Sequence, residues 1–251
     1  MSTDLNLIHL QPDPRRLAVW AARHRLLDRS GDLGYAFHGL LQAAFGTGAP
    51  CVYRYLDANQ GLLAYTETRR EDLIQAAALA PPDVAAALGL GATQSHGGLN
   101  VRPFPTTWPV GQVLGFECRV RPVIRESKTR REGDAFLAAV EKSNGAELDR
   151  EEVYASWLTT HFARQAGAEV LGVQMTAFRL LDVMRRTQKS PGTDSGRHAR
   201  SVGGPDAVLT GHLRVTDPVG FAALIRRGIG RHRAFGFGML LLNPAGRHCQ
   251  C

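Results

Sequence analysis

Gly228-Ile229-Gly230-Arg231-His232-Arg233-Ala234-Phe235-Gly236-Phe237-Gly238 leads directly into Met239-Leu240-Leu241-Leu242. Glycine lets a backbone turn through positive φ and lets a second backbone come close. Basic side chains and amide groups held between such glycines can converge on an anion. The apolar run that follows reads as a buried strand. A dinucleotide-binding fingerprint needs Gly-x-Gly-x-x-Gly ahead of a helix and a further βαβ unit. Here the spacing is Gly-x-Gly-x5-Gly-x-Gly, and only 13 residues follow Gly238. A nucleotide cofactor is therefore not expected. The stretch reads as a Gly-rich basic loop opening into a last strand, with a purely structural turn as the plainer reading.

The whole chain carries a formal charge of +7 and a pI near 9.7. Most of the base is arginine, whose planar fork recognises phosphate bidentately and stacks on bases. Nucleic acid is thus the expected partner class. Apolar residues at 44% and charged residues at 21% are ordinary globular values for a chain of 251 residues, enough for two domains. There is no secretory signal and no apolar run near the ~20 residues a membrane span needs. Cys51, Cys118, Cys249 and Cys251 are scattered, so no disulfide framework is expected and a reduced, cytoplasmic protein is. The histidines show no His-x-x-x-His or related spacing, and no metal site or cofactor is expected.

Read outward from the loop, Thr216-Asp217-Pro218 starts a helix ending near Arg227, and Ala207 to Val215 is a strand. Arg185 to Pro205 is rich in Gly, Ser and base and reads as a loop. Helices are expected over Asp134–Lys142 and Arg150–Gln165, and a strand near Leu114 to Arg121. Its alternation puts Glu117, Arg119 and Arg121 on an exposed face. In the first half, strands are expected at Leu5–Leu10, Cys51–Tyr55 and Gly61–Tyr65, and helices at Arg15–Leu27, Tyr35–Phe45 and Arg70–Leu79. Pro81-Pro82 is read as ending the last of these. Val101 to Pro109, with three prolines, is read as a connection between halves. Each half approximates β-α-β-β-α-β. The fold class is therefore α+β, as two tandem ferredoxin-like domains. They span 1–109 and 110–251, the second with basic inserts at 125–150 and 184–206.

The C-terminal segments Val208-Leu209-Thr210-Gly211-His212-Leu213, Asp217-Pro218, Leu224 to Gly230 and Phe235 to Leu240 resemble the CRISPR repeat-processing endoribonucleases of the RAMP superfamily, CasE type. Phe116-x-x-Arg119-Val120-Arg121-Pro122 resembles that family's Arg-x-Arg-x-x-Pro strand. Tyr154 to Leu158 resembles its Trp-Leu helix, and Tyr35-Ala36-Phe37-His38 its Tyr-x-x-His. The longer, more basic 184–204 segment also suits a diverged type IV branch. The resemblance implies metal-independent cleavage of CRISPR repeat RNA by its own 2′-OH, giving a 2′,3′-cyclic phosphate and a 5′-OH. It implies retention on the 3′ stem-loop of the crRNA and contact with other CRISPR effector subunits. A non-catalytic RAMP subunit and a nonspecific nucleic-acid regulator are the alternatives.

His38 is then the candidate acid or base, since imidazole moves protons near neutral pH. Tyr35, one helical turn earlier, shares its face and would orient it or hold the phosphate. Arg23, beside His24 and Arg25, is the candidate phosphorane stabiliser should histidine catalysis have been replaced by arginine. The candidate RNA-binding set is Arg119, Arg121, Arg125, Lys128, Arg130 and Arg131, with Gly228, Gly230, Arg231, His232, Arg233, Gly236 and Gly238 in the loop. Arg185, Arg186, Lys189, Arg197 and Arg200 are read as a clamp ordered by RNA. Phe235 and Phe237 are read as core plugs.

Overall fold

The computed structural model describes residues 4–27, 31–91, 98–125, 132–165, 167–186 and 199–245. The first half runs β1 (Leu5–Leu10), α1 (Pro14–Arg23), α2 (Gly34–Phe45), β2 (Val52–Asp57), β3 (Gly61–Thr66), α3 (Arg70–Leu79), α4 (Pro82–Leu88) and β4 (Asn100–Phe104). Its four strands stand in the order β2-β3-β1-β4, each antiparallel to its neighbours. The second half runs β5 (Val113–Val120), β6 (Val123–Arg125), β7 (Glu132–Asp134), α5 (Ala135–Lys142), α6 (Arg150–Gln165), β8 (Ala168–Arg186), β9 (Ala199–Val215), α7 (Pro218–Arg227) and β10 (Leu240–Pro244). Its main sheet is β10-β5-β9-β8, again antiparallel throughout, and β6 and β7 form a separate small ribbon. Both orders place the last strand beside the first and the first beside the third. The protein is thus α+β, two ferredoxin-like units in tandem.

Local chemistry fixes the helix starts. The Asp13 carboxylate accepts from the backbone N–H of Arg15 and Arg16 at 2.9 and 3.0 Å, with Pro14 in the first turn. Asp217 does the same for Val219 and Gly220 ahead of α7, with Pro218 in the first turn. Such caps satisfy otherwise orphaned N–H groups, and proline loses nothing where no helical bond is due.

Three sequence expectations need correction. Pro82 does not merely end α3; it begins α4, which buries Val84, Ala87 and Leu88. The proline-rich connection contains β4, whose Pro103 pairs in register with Asn6. A proline is tolerated there because β4 is the outermost strand and needs no donor on its open side. The segment after Met184 is not a loop throughout. β8 continues to Arg186 and β9 begins at Ala199, so two strands of 19 and 17 residues form one long hairpin. Gly204 pairs with Leu181 in this ladder, and a Cβ there would lie 2.5 Å from Arg121 Nη2, which suits a glycine to the position.

The two halves share buried contacts. Leu5, Val52 and Tyr65 of the first sheet join the cluster built from Phe116, Trp157, Phe221 and Leu240. The Tyr65 hydroxyl donates to Leu240 O at 3.0 Å, and Arg54 Nη2 donates to Glu117 Oε1 at 3.3 Å. The face of β5 predicted to be exposed is therefore covered. Glu117 and Arg119 are half-buried, and Arg121 is 1% exposed.

Candidate functional site: a basic loop against a Tyr-x-x-His helix

The Gly-rich stretch is tied at its base. Ile229 N–H donates to Gly238 O at 2.8 Å, and Gly238 N–H donates to Arg119 O at 2.7 Å. Gly238 has φ +79°, and a Cβ on it would sit 2.2 Å from Ile229 O, so no other residue closes this neck. Phe237 is fully buried beneath the neck, with the Arg119 guanidinium 4.3 Å from its ring centre. It is the core plug the sequence suggested. Phe235 is not. Its ring stacks on Tyr35 at 5.5 Å and meets the His38 ring edge-on at 5.8 Å. His232 approaches the same ring at 6.1 Å.

A buried tyrosine fixes this docking. The Tyr53 hydroxyl lies 2.6 Å from Gly34 O at the start of α2 and 2.9 Å from Ala234 O in the loop, sharing its proton between them. Helix and loop are thus pinned to one phenol. Tyr35 and His38 lie one turn apart on α2, both half-buried, with ring centres 6.2 Å apart. Burial lowers the His38 pKa below its ordinary 6.5. Its imidazole is therefore predominantly neutral near pH 7, the form that accepts a proton.

The basic side chains are divided. Arg226, Arg227, Arg231, His232 and Arg233 line a depression of about 730 Å³ next to Phe235. Glu132 of β7 reaches into it, accepting from Arg231 Nε at 2.6 Å and bonding His232 Nε2 at 2.7 Å. Burial alone would raise the Glu132 pKa, but His232 and Arg231 outweigh it and hold it below the ordinary value. Arg233 donates to Arg227 O at 2.6 Å.

The predicted RNA-facing strand behaves differently. Arg119 donates through Nε and Nη2 to both Asp206 oxygens at 2.7 Å, and through Nη2 to Asp32 Oδ1 at 3.3 Å. Arg179 Nε adds a third bond to Asp206 at 2.8 Å. Arg121 donates to Leu181 O and Val202 O. Both arginines are internal struts, since the loop neck and the first half cover the face that alternation exposed. Arg125 is exposed on β6. Lys128, Arg130 and Arg131 lie outside the described residues, as do Lys189 and Arg197; Arg185, Arg186 and Arg200 lie on the long strands. Arg23 is exposed in the last turn of α1 and lines a separate depression with Arg15, Arg16, Trp20 and Asp83.

Sequence reasoning missed Glu132, Tyr53 and the terminal α7 pair Arg226 and Arg227. Only the α7 pair carried a signal, its adjacency to the loop. Among the described residues, no group of three or more His, Cys, Asp and Glu is placed to hold a metal ion, and no helix is long and apolar enough to cross a membrane.

The model of a family described as CRISPR associated protein matches residues 5–244, nearly the whole chain. The chain belongs to the CRISPR associated protein family. Solved structures share the fold of this CRISPR associated protein. A structure of the CRISPR endoribonuclease Cse3 bound to a 19 nt RNA is 21% identical over 97% of this chain and 100% of that one, with a TM-score of 0.62. Thermus thermophilus Cse3 bound to an RNA representing a pre-cleavage complex is 21% identical over 96% and 100%, with a TM-score of 0.61. A chain of a CRISPR RNA-guided surveillance complex in a pre-nicking state is 18% identical over 95% and 99%, with a TM-score of 0.54. No curated protein matches the chain by sequence comparison.

Proposed function

We propose that this protein is a CasE-type, metal-independent endoribonuclease that binds CRISPR repeat hairpin RNA and cuts it to mature crRNA. The carrying observation is the meeting of Tyr35 and His38 with Phe235, in a loop that presents Arg231, His232 and Arg233 just before it. The RNA-bound Cse3 structures of the same fold support the reading.

The chemistry follows from the groups at hand. The neutral His38 imidazole takes the proton of the ribose 2′-OH as its oxygen attacks the adjacent phosphorus. The O2′–P bond forms, the P–O5′ bond breaks, and the leaving O5′ takes up a proton from water or a neighbouring acid. Products are a 2′,3′-cyclic phosphate and a 5′-OH. Tyr35 holds a non-bridging oxygen or steadies the imidazole. Arg231 and Arg233 supply positive charge to the developing phosphorane, where fixed cations count most. A-form RNA hides its major-groove edges, so the loop arginines grip the stem through phosphates. After cutting, the protein stays on the 3′ stem-loop inside a cytoplasmic effector complex, in keeping with the surveillance-complex relative.

Purified protein incubated with repeat RNA in EDTA tests the reading. Cutting at one position with a cyclic-phosphate end supports it. Tight hairpin binding without cutting assigns a non-catalytic subunit instead, and indifference to RNA sequence assigns a nonspecific binder.

A further inference from the structure

A second groove also borders Phe235. Its cavity is about 430 Å³, and its lining includes Asp32, Arg54, Tyr55, Arg119, Arg179 and Asp206. It is built between β2, an outermost strand of the first sheet, and neighbouring residues of β5, β9 and β8 in the second. Phe235 lines both this groove and the depression that holds Arg226 to Arg233. The two sites therefore share one aromatic side chain, the one that touches His38.

Their electrostatics differ. The depression holds four arginines and His232 against two carboxylates, Glu132 on Arg231 and His232 and Glu67 on Arg226, which still leaves a positive surplus suited to phosphates. In the groove every arginine has a carboxylate: Arg119 and Arg179 bond Asp206, Arg119 also bonds Asp32, and Arg54 bonds Glu117. A phosphate entering there meets no net positive charge. A neutral, flat ligand fits better. Tyr55, half-buried and packed on Phe37 at 4.7 Å, offers an aromatic face. Arg179, with 60% of its side chain exposed, offers free donors and a planar surface. The outermost strand β2 also presents backbone groups that no ladder uses, suited to the edge of a base.

We propose that this groove takes an unpaired nucleobase of the RNA, adjoining the linkage that His38 faces, while the arginine depression takes the paired stem. The proposal rests on the RNA-cleaving reading above and adds a base site to it. The base leaves the stem's stack, settles between Tyr55 and Arg179, and turns its own backbone across Phe235. Fixing the nucleotide on both sides of the scissile phosphate holds the 2′-oxygen in line with the leaving oxygen, an orientation that unrestrained RNA rarely visits.

The test uses full-length protein and repeat RNA made uncleavable by a 2′-deoxyribose at the cut. Single abasic residues are placed in turn at each unpaired nucleotide flanking the hairpin. Abasic residues keep the phosphate and delete the base. One position is expected to weaken binding about tenfold, the scale of one lost base stack. Tyr55→Ala and Arg179→Gln should each weaken binding of intact RNA to that level and be indifferent to the abasic residue. Both variants should bind a bare hairpin as the unaltered protein does, which also reports their folding. Tight hairpin binding with no abasic position costing more than twofold overturns the base site and leaves the cleavage reading standing. Failure to bind the bare hairpin at all overturns the cleavage reading instead. If Tyr55→Ala does not fold, Arg179→Gln alone decides.

Discussion

The Phe235 ring stands edge-on to the His38 imidazole, 5.8 Å between centres and 78° between planes. One residue comes from the first ferredoxin-like unit and the other from the last loop of the second. Neither unit alone contains the candidate centre.

His38→Ala should cut single-turnover cleavage of repeat RNA by on the order of 10² or more and leave hairpin affinity within a few-fold. Tyr35→Phe keeps the ring against Phe235 and removes only the hydroxyl. Its loss should be smaller, about tenfold. Unchanged cleavage by His38→Ala would remove His38 from the reaction.

The pH profile follows from the sense of the His38 shift. Burial lowers its pKa, so the proton-accepting form already predominates below 6.5. The cleavage rate should climb with pH through a midpoint under 6.5 and stay flat to about pH 8. A rate that falls above the midpoint would make His38 the acid rather than the base.

Glu132→Gln should cost about 1 kcal/mol at pH 7, discounted for the exposure of Arg231. The sign with pH is fixed. The folded-state pKa of Glu132 is depressed, so its contribution is complete above the ordinary 4.5 and is lost as pH falls through the lowered value. Urea unfolding of the two proteins should differ at pH 7 and converge as pH falls through the lowered Glu132 value. The variant should also bind RNA more tightly, because Arg231 and His232 lose a competing carboxylate.

Asp206→Ala removes the acceptor of Arg119 and Arg179 and leaves half-buried Arg119 with Asp32 alone. A loss of about 3–5 kcal/mol is expected in denaturant unfolding. Arg121→Ala strands Leu181 O and Val202 O and should cost stability rather than only RNA affinity.

Gly238→Ala places a methyl group 2.2 Å from Ile229 O at φ +79°. Stability should fall by about 2 kcal/mol or more, and cleavage with it, since the neck of the loop can no longer close. A variant of normal stability and activity would show that the neck does not position Phe235.

Regular periodicity was legible wherever local order and packing agree. Leu5–Leu10, Arg70–Leu79 and Arg150–Gln165 occupy the spans their patterns mark. Tyr35 and His38 share a helix face for the same reason. What escaped was tertiary. Alternation set Arg119, and Arg121 just past the end of β5, apart from Cys118 and Val120, yet pattern cannot tell that both arginines are covered. Pro103 and the glycines of β9 read as breakers, because a lone chain does not show that one strand lies at a sheet edge and the other beneath a guanidinium. Nothing local distinguishes Phe235 from Phe237; their fates part through Tyr35, which lies 200 residues away. The long hairpin was hidden by composition.

Tyr53 touches Ala234 across a sequence separation of 181. During synthesis the histidine-bearing helix leaves the ribosome some 190 residues ahead of the loop that covers it. A nascent chain therefore holds no assembled centre until that loop has emerged and docked. Truncations that spare every proton-moving side chain but remove the final strand should be inert.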